Sequence, residues 1–333
     1  MAAYTGIQGQ NILIVSSDPA NPTEGQIWYN STSNLLKGYQ NLAVNAWATG
    51  GNMNTARKRL GSAGNQTSAL AFGGATVSVG GSNSTATEKY DGTTWTNNPT
   101  GLNTGNNGLT GAGTQTAALG FGGYVVPPSP GVKNITEKFN GSTWTTANTM
   151  NTARGYFAGL GTQTAALAFG GFSPPTTGVT EKYNGTTWTN NPTGLNSARN
   201  SLAGAGSQTA ALAFGGQPGA VSAATESWNG TAWTSVSSLN TPRDTGMSGA
   251  GIQTLAIGIG GVIPTGATEL WNGTTWTSNP TGLNVTRFNS NSGPGGTQTA
   301  AITFGGANPG DTPQTATEEW TGVALTTRTI TTS

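Results

Sequence analysis

Six glutamates recur at one position of a repeated pattern, each preceded by a threonine and followed two residues later by an aromatic residue. Two carboxylates held close together could perform acid–base chemistry, as in glycoside hydrolysis. Repetition spreads these carboxylates along the chain instead. We therefore expect them to pair with arginines such as Arg57 or to bond backbone groups. They are Glu88, Glu137, Glu181, Glu226, Glu269 and Glu318.

The other side chains that could do chemistry are few. The 333 residues include no histidine and no cysteine, which excludes Cys- or His-ligated zinc, haem and iron–sulfur sites and every His-dependent nucleophile. An enzyme would need an acidic pair, and nothing in the sequence brings together any two of the carboxylates considered for one. We expect no enzyme activity, catalytic residue, metal or cofactor. Those carboxylates are Asp18, Glu24, Asp91, Asp244, Asp311 and Glu319.

The elements that carry the glutamates repeat along the chain. Gly-Gly pairs begin at positions 73, 122, 170, 215, 260 and 305, so successive pairs lie 45 to 49 residues apart. Before the first pair, residues 68–72 alternate, with Leu70 and Phe72 on one face of a strand and Ala69 and Ala71 on the other. The large face is expected to pack on the small face of the next repeat.

Each repeat is predicted to be a four-stranded antiparallel sheet. In the first repeat the strands are expected near residues 57–64, 68–72, 86–90 and 94–96. An Asn-Gly or Asp-Gly turn joins the last two strands, because both residue types accept positive φ. Such sheets repeated radially form a β-propeller, so the expected fold class is all-β. A tryptophan in each last strand is expected to pack between blades: Trp95, Trp144, Trp188, Trp233 and Trp276.

The repeat resembles the kelch repeat over roughly residues 47–325. The resemblance lies in the Gly-Gly doublet, the aromatic residue, the tryptophan and a connection of the form Met53-Asn54-Thr55-Ala56-Arg57. The second repeat departs from it, with Asn106 where arginine is expected. Kelch propellers include both enzymes and binding proteins, so the resemblance implies a fold and no activity.

The termini leave two blade counts open. Residues 25–48 form a partial repeat that ends at Trp47, which favours seven blades sealed by both termini. In the alternative, six blades are present and Trp47 seals the last one. Leu325 stands where a sixth tryptophan is expected, so residues 323–333 should be the last strand of the sixth repeat or a closing strand. The predicted division is an arm, 1–24, and a propeller, 25–333, made of the partial blade 25–48, six repeats over 49–325 and a tail, 326–333.

The two faces of the predicted propeller differ. The connections between the second and third strands vary in length and several contain proline, which favours binding there because stiff loops lose less entropy. That recognition surface centres on Tyr124, Val125, Val126, Phe172 and Val262. The opposite face repeats a glutamine near the axis, expected to bond backbone across blades or to line a small polar site. This axial ring is Gln66, Gln115, Gln163, Gln208, Gln253 and Gln298.

Residues 21–39 contain Pro22, Gly25 and the run Ile27-Trp28-Tyr29-Asn30, followed by a Leu-Lys-x-Tyr strand. This motif resembles a β-meander near the ends of tailed-bacteriophage tail and fibre proteins, and the Gly-, Thr- and Asn-rich repeats resemble marine phage virion proteins. The resemblance implies a non-enzymatic virion protein of the tail or fibre, present in many copies. Residues 1–18 would attach to other virion proteins, and the propeller would face a host-surface glycan or protein. The alternative is a free kelch-like protein- or carbohydrate-binding module of a bacterium.

Charge and hydropathy argue against two classes of partner, nucleic acids and membranes. The formal net charge is +1 and only 8% of residues are charged, so no basic surface for nucleic acid is expected. No run of about 18 apolar residues occurs, so membrane insertion is not expected either.

Overall fold

The computed structural model describes residues 12–20, 26–42, 45–77, 83–125, 131–244, 246–261, 266–288, 291–292, 295–322 and 324–329. Within these ranges the chain is all-β, and no helix long and apolar enough to cross a membrane is found there. Val126 and Val262, predicted for the recognition surface, lie outside the described residues. The chain divides into two compact units. The first is made of residues 1–45 and 322–333, and the second of residues 46–321.

Thirty strands are described in these ranges. The first fifteen are β1 (Leu13–Val15), β2 (Ile27–Asn30), β3 (Leu35–Leu42), β4 (Ala46–Thr49), β5 (Gly61–Asn65), β6 (Ser68–Phe72), β7 (Thr87–Tyr90), β8 (Trp95–Asn97), β9 (Thr110–Gly113), β10 (Ala118–Phe121), β11 (Tyr124–Val125), β12 (Gly131–Val132), β13 (Thr136–Phe139), β14 (Trp144–Ala147) and β15 (Ala158–Gly161). The others are β16 (Ala166–Phe169), β17 (Thr180–Tyr183), β18 (Trp188–Asn190), β19 (Ala203–Gly206), β20 (Ala211–Phe214), β21 (Thr225–Trp228), β22 (Trp233–Val236), β23 (Ser248–Ile252), β24 (Leu255–Ile259), β25 (Thr268–Trp271), β26 (Trp276–Asn279), β27 (Asn291–Ser292), β28 (Ala300–Phe304), β29 (Thr317–Thr321) and β30 (Ala324–Thr329).

The second unit contains six four-stranded antiparallel sheets, here called sheets 1 to 6. Sheets 1 to 5 are β5–β8, then β9, β10, β13 and β14, then β15–β18, β19–β22 and β23–β26. Sheet 6 is β27, β28, β29 and β4. The first strand of each sheet contacts the first strand of the next, and β27 contacts β5, so the contacts follow a cyclic order. The predicted second strand of the first repeat, residues 68–72, is confirmed by β6.

The sheets pack large face against small face, as the alternation in β6 predicts. Leu70 and Phe72 of sheet 1 share a buried cluster with Ala118 and Trp144 of sheet 2. On the other face of sheet 1, Ala69 packs in a cluster with residues of sheet 6. Because each interface joins bulky side chains to alanine or glycine, neighbouring sheets can approach closely.

A tryptophan of each sheet donates an indole N–H hydrogen bond to a threonine of the preceding sheet. The indole N–H of Trp188 in sheet 3 donates to Thr136 Oγ1 of sheet 2 at 3.0 Å. The threonine is the residue before the repeated glutamate, so two features of the sequence pattern meet in one hydrogen bond. The same bond joins Trp95 to Thr317, Trp144 to Thr87, Trp233 to Thr180, Trp276 to Thr225 and Trp47 to Thr268.

The outer strand of sheet 6 comes from the start of the second unit. Strand β4 pairs with β29 so that Trp47 lies opposite Trp320, in the register that places Trp95 opposite Tyr90 in sheet 1. Trp47 therefore occupies the position of the missing sixth tryptophan. This pairing differs from the seven-blade interpretation, in which Trp47 ends a separate blade formed by residues 25–48.

The first unit contains one four-stranded sheet in the order β1, β2, β3, β30, with β1 and β2 parallel. The parallel pair sets it apart from the six antiparallel sheets. Strand β30 pairs with β3, so the segment around Leu325 is not the last strand of the sixth repeat. The physical reason is that Trp47 already completes sheet 6. The N-terminal segment of the first unit ends at residue 45, just before β4.

Asp18 accepts three side-chain hydrogen bonds in the first unit, and its titration makes the stability of that unit depend on pH. Hydrogen bonds from Lys37 at 2.7 Å, Asn30 at 2.7 Å and Trp28 at 3.1 Å lower the pKa of Asp18 to about 2. A carboxyl with a depressed pKa stabilises the fold above its usual pKa of 3.8, and this contribution is lost as the pH falls toward 2. We expect the NMR signal of the Trp28 indole N–H to shift with a midpoint near pH 2. The shift should vanish in Asp18→Asn, and a wild-type midpoint near 3.8 would contradict the assignment.

Candidate functional site

A belt of backbone hydrogen bonds connects the starts of sheets 1 to 4. Gly108 N–H donates to Arg59 C=O at 2.8 Å, Tyr156 to Gly108 at 2.8 Å, and Ser201 to Tyr156 at 2.7 Å. All four residues have left-handed backbone, with φ of 56° at Arg59, 60° at Gly108, 55° at Tyr156 and 55° at Ser201. Such φ values are unusual for residues other than glycine. Three side chains are therefore held at positions that glycine would occupy more easily.

Arg59 and two tyrosines form one wall beside this belt. The Arg59 guanidinium lies over the Tyr156 ring, 5.4 Å from its centroid, and the Tyr124 ring stacks beside Tyr156 at 6.1 Å. Burial raises the pKa of the Tyr156 hydroxyl, which keeps the phenol neutral. Arg59 Nε is buried and has no hydrogen-bond partner among the described residues. The wall thus combines two aromatic rings with a cation.

Amides and hydroxyls form the other wall. Asn200 donates to Thr176 Oγ1 at 2.8 Å and accepts from the Ser201 hydroxyl at 2.9 Å. Gln217 lies 3.5 Å from Asn200 Oδ1. Together the walls enclose an open pocket of about 630 Å³, here called the mouth pocket. Its lining residues are Arg59, Tyr156, Phe172, Thr176, Asn200, Ser201, Gln217, Pro218 and Gly219.

A narrower channel shares three residues with the mouth pocket. Arg59, Tyr156 and Ser201 line both spaces. The channel has a volume of about 100 Å³ and is otherwise lined mainly by small residues of the first strands, such as Gly111 and Gly159. A pocket of polar and aromatic groups above a tight channel suits a ligand that sits at the surface and inserts only a small group.

Part of the predicted recognition surface lies at this pocket. Phe172 lines it, and Tyr124 reaches it through its contact with Tyr156. Val125 lies in β11, which pairs with β12 as a short ribbon, and it is not a lining residue. The positions are half-buried rather than freely exposed loop tips.

The glutamine ring joins neighbouring sheets. Gln163 Nε2 donates to the carbonyl of Ala118 at 2.8 Å and to that of Phe139 at 2.7 Å, both in the preceding sheet. Gln66, Gln115, Gln208, Gln253 and Gln298 make the equivalent pair of bonds. Because these amide N–H groups are already bonded, the ring offers a ligand little beyond its carbonyl oxygens.

The repeated glutamates form buried ion pairs with the repeated arginines, as the sequence predicts. Arg154 Nη2 lies 3.1 Å from Glu181 Oε1, and both side chains are fully buried. The other pairs are Arg57–Glu88, Arg199–Glu226, Arg243–Glu269 and Arg287–Glu318. Glu137 has no such pair among the described residues. The described chain also contains no group of three or more acidic side chains placed to hold a metal ion.

Sequence reasoning missed Arg59, Tyr156 and Asn200. A usable signal was present, because these residues stand one or two positions after the repeated arginine, where the sequence varies while its flanks repeat. What the pattern did not reveal is that the belt places these two positions at the pocket.

Repeated four-stranded antiparallel sheets, packed face to face in cyclic order, define the β-propeller class, here of a kelch-like type. The solved structure of YjhT is similar to this chain, with a TM-score of 0.67, 14% sequence identity and coverage of 83% of this chain and 99% of the other. No protein-family model and no curated protein matches the sequence. At this identity the similarity shows the fold alone.

Proposed function

We propose that this chain is a non-enzymatic, six-bladed β-propeller that binds carbohydrate at the mouth pocket and is displayed on a bacteriophage virion as part of the tail or a fibre. The observation that carries the binding role is the left-handed belt, which holds Arg59 and Tyr156 against the pocket at a conformational cost. A site that serves only packing has no need of these two side chains, since Gly108 fills the equivalent place in sheet 2.

The chemistry of the pocket favours a sugar. A pyranose presents an apolar face, which can stack on an aromatic ring, and a rim of hydroxyls, which require donors and acceptors. Tyr156 and Phe172 supply rings, while Asn200, Thr176 and Gln217 supply amides and a hydroxyl. Arg59 adds a donor and a positive charge. An open pocket of this kind binds weakly on its own, and many copies on one particle would multiply the affinity.

Two further observations support a six-bladed ring on a virion. Strand β4 fills the outer position of sheet 6, and β27 contacts β5, which supports a ring of six blades. The virion assignment rests on the phage-like motif at residues 21–39. In the first unit, edge strand β1 exposes Leu13 and Ile14, at 50% and 71%, which suits attachment to another chain.

The binding role is tested by replacing Arg59 and Tyr156 with glycine. Arg59→Gly and Tyr156→Gly remove the side chains while keeping a residue that accepts φ near 55°, so the fold should be retained. We expect each variant to lose binding at least about tenfold on an array of immobilised neutral and acidic oligosaccharides. Asn34→Gly, which also replaces a left-handed residue but lies outside the pocket, should bind like wild type. Equal binding by all four proteins would reject this site.

The virion role is tested by mass spectrometry of purified particles and by a cryo-EM map. Detection of the chain, anchored through its N-terminal segment, would support display. Absence from virions would reject that role and leave the second candidate, a free carbohydrate- or protein-binding module, with the same pocket.

A further inference from the structure

Sheet 2 lacks the cation that the other five sheets bury. In each of those sheets an arginine side chain lies against the repeated glutamate. In sheet 2 the arginine position is Asn106, and Glu137 is 2% exposed. Asn106 is itself only 3% exposed, and its Oδ1 atom has no hydrogen-bond partner among the described residues. The sheet therefore buries a carboxylate and an amide oxygen without the cation that normally joins them.

The equivalent arginine in sheet 3 shows which oxygen atoms are affected. Arg154 donates to four oxygens, namely the carbonyls of Gly170, Val179 and Ala168 and the carboxylate of Glu181. In sheet 2 the corresponding oxygens belong to Gly122, Ile135, Gly120 and Glu137. Asn106 Nδ2 donates to the Gly122 carbonyl at 2.5 Å. The shorter side chain cannot also serve the other three.

A cavity occupies the place of the missing guanidinium. Its walls include Asn106, Gly120, Ile135 and Glu137, the residues that carry the affected oxygens. It measures about 10 Å³ for the centre of a water-sized particle, which is about the room that one such particle needs. Apolar Leu102, Leu109 and Phe121 line the rest of the wall, together with Thr104 and Gly122.

The charge in this cavity is poorly compensated. Burial raises the pKa of Glu137, and only the backbone N–H groups of Asn103 and Thr104 and the Asn103 side chain oppose that shift. Those N–H groups donate to the Glu137 carboxylate at 2.8 and 3.2 Å. One negative charge, carbonyl oxygens and an amide oxygen form a donor set that hard monovalent cations accept.

We propose that this cavity in sheet 2 binds one small monovalent cation, of the ammonium, sodium or potassium class, in place of the arginine of the other sheets. A single carboxylate balances a single positive charge. A divalent ion would remain half-compensated in a buried site, and its hydration is harder to remove. The site would make the stability of this one sheet depend on the salt present, independently of any ligand at the mouth pocket.

The test compares thermal unfolding in 100 mM chlorides of ammonium, sodium, potassium and tetramethylammonium at equal ionic strength. Tetramethylammonium is too large for the cavity and serves as the reference. We expect the Tm of the wild type to rise by about 2–4 °C in at least one small cation. Asn106→Arg, which supplies its own guanidinium, should have a Tm that differs little between the four salts.

Glu137→Gln provides a second variant, in case Asn106→Arg does not fold. Removal of the charge should abolish the difference between small cations and tetramethylammonium. An identical salt response in the wild type and in the folded variants would overturn the proposal, because the response would then be a general effect of the salts. A direct readout is the anomalous signal of rubidium in soaked crystals, expected between Asn106 and Glu137 and absent in Glu137→Gln.

Discussion

Glu181→Gln is expected to lower the free energy of unfolding by about 3–5 kcal/mol, because it leaves the Arg154 guanidinium buried without a counter-charge. Both side chains are fully buried and lie 3.1 Å apart. Burial lowers the pKa of Arg154 to about 10, and the charge of Glu181 acts in the opposite direction. Removing that charge leaves the desolvation of Arg154 unopposed. The backbone N–H groups of Asn151 and Thr152, which donate to the same carboxylate, would also lose a charged acceptor.

Urea denaturation followed by fluorescence measures this effect, and the chain provides its own control. Glu137→Gln makes the same change at the equivalent position of sheet 2, where no arginine is left unpaired. We expect it to cost clearly less than Glu181→Gln, since no buried guanidinium loses its counter-charge. Equal losses in the two variants would mean that the repeated glutamates act mainly by accepting backbone hydrogen bonds, and that the arginine pairs add little.

These two positions also show how far the sequence predicts the structure. The repeat pairs five of its six glutamates with an arginine, and local alternation in residues 68–72 predicts β6 and the way its two faces pack. Both features depend on neighbours within one repeat or the next. Asn106 is visible as an exception in the same pattern, so the unpaired state of Glu137 follows from the sequence once the ion pairs are known.

The remaining features depend on contacts between distant parts of the chain. By the repeat pattern alone, Trp47 could end a separate blade beside β3 or complete sheet 6 beside β29. The structure pairs it with β29, and this pairing joins residues more than 250 positions apart. The mouth pocket depends on the belt between Arg59, Gly108, Tyr156 and Ser201. Composition and periodicity do not reveal left-handed backbone at non-glycine residues, because tertiary contacts impose it.

Trp47→Ala tests the pairing of β4 and should be among the most destabilising substitutions in the chain, at about 3–5 kcal/mol. The indole is 6% exposed, its N–H donates to Thr268 Oγ1 at 2.9 Å, and its ring lies 5.4 Å from that of Trp320. It also packs with Ile257 and Ile259 of sheet 5. Replacement by alanine would leave a large cavity and an unpaired hydroxyl at the one junction made by strands from opposite ends of the second unit.

The matched variant is Trp188→Ala, which removes the equivalent tryptophan from sheet 3, where all four strands are consecutive. If β4 completes a six-bladed ring, both substitutions should reduce the free energy of unfolding by similar amounts in urea titrations. Trp47→Ala should in addition lower the cooperativity of the transition, because sheet 6 alone is held by residues far apart in sequence and can detach before the others. A loss below about 1 kcal/mol for Trp47→Ala, beside a large loss for Trp188→Ala, would show that β4 does not close sheet 6 and would return the seven-blade arrangement to consideration.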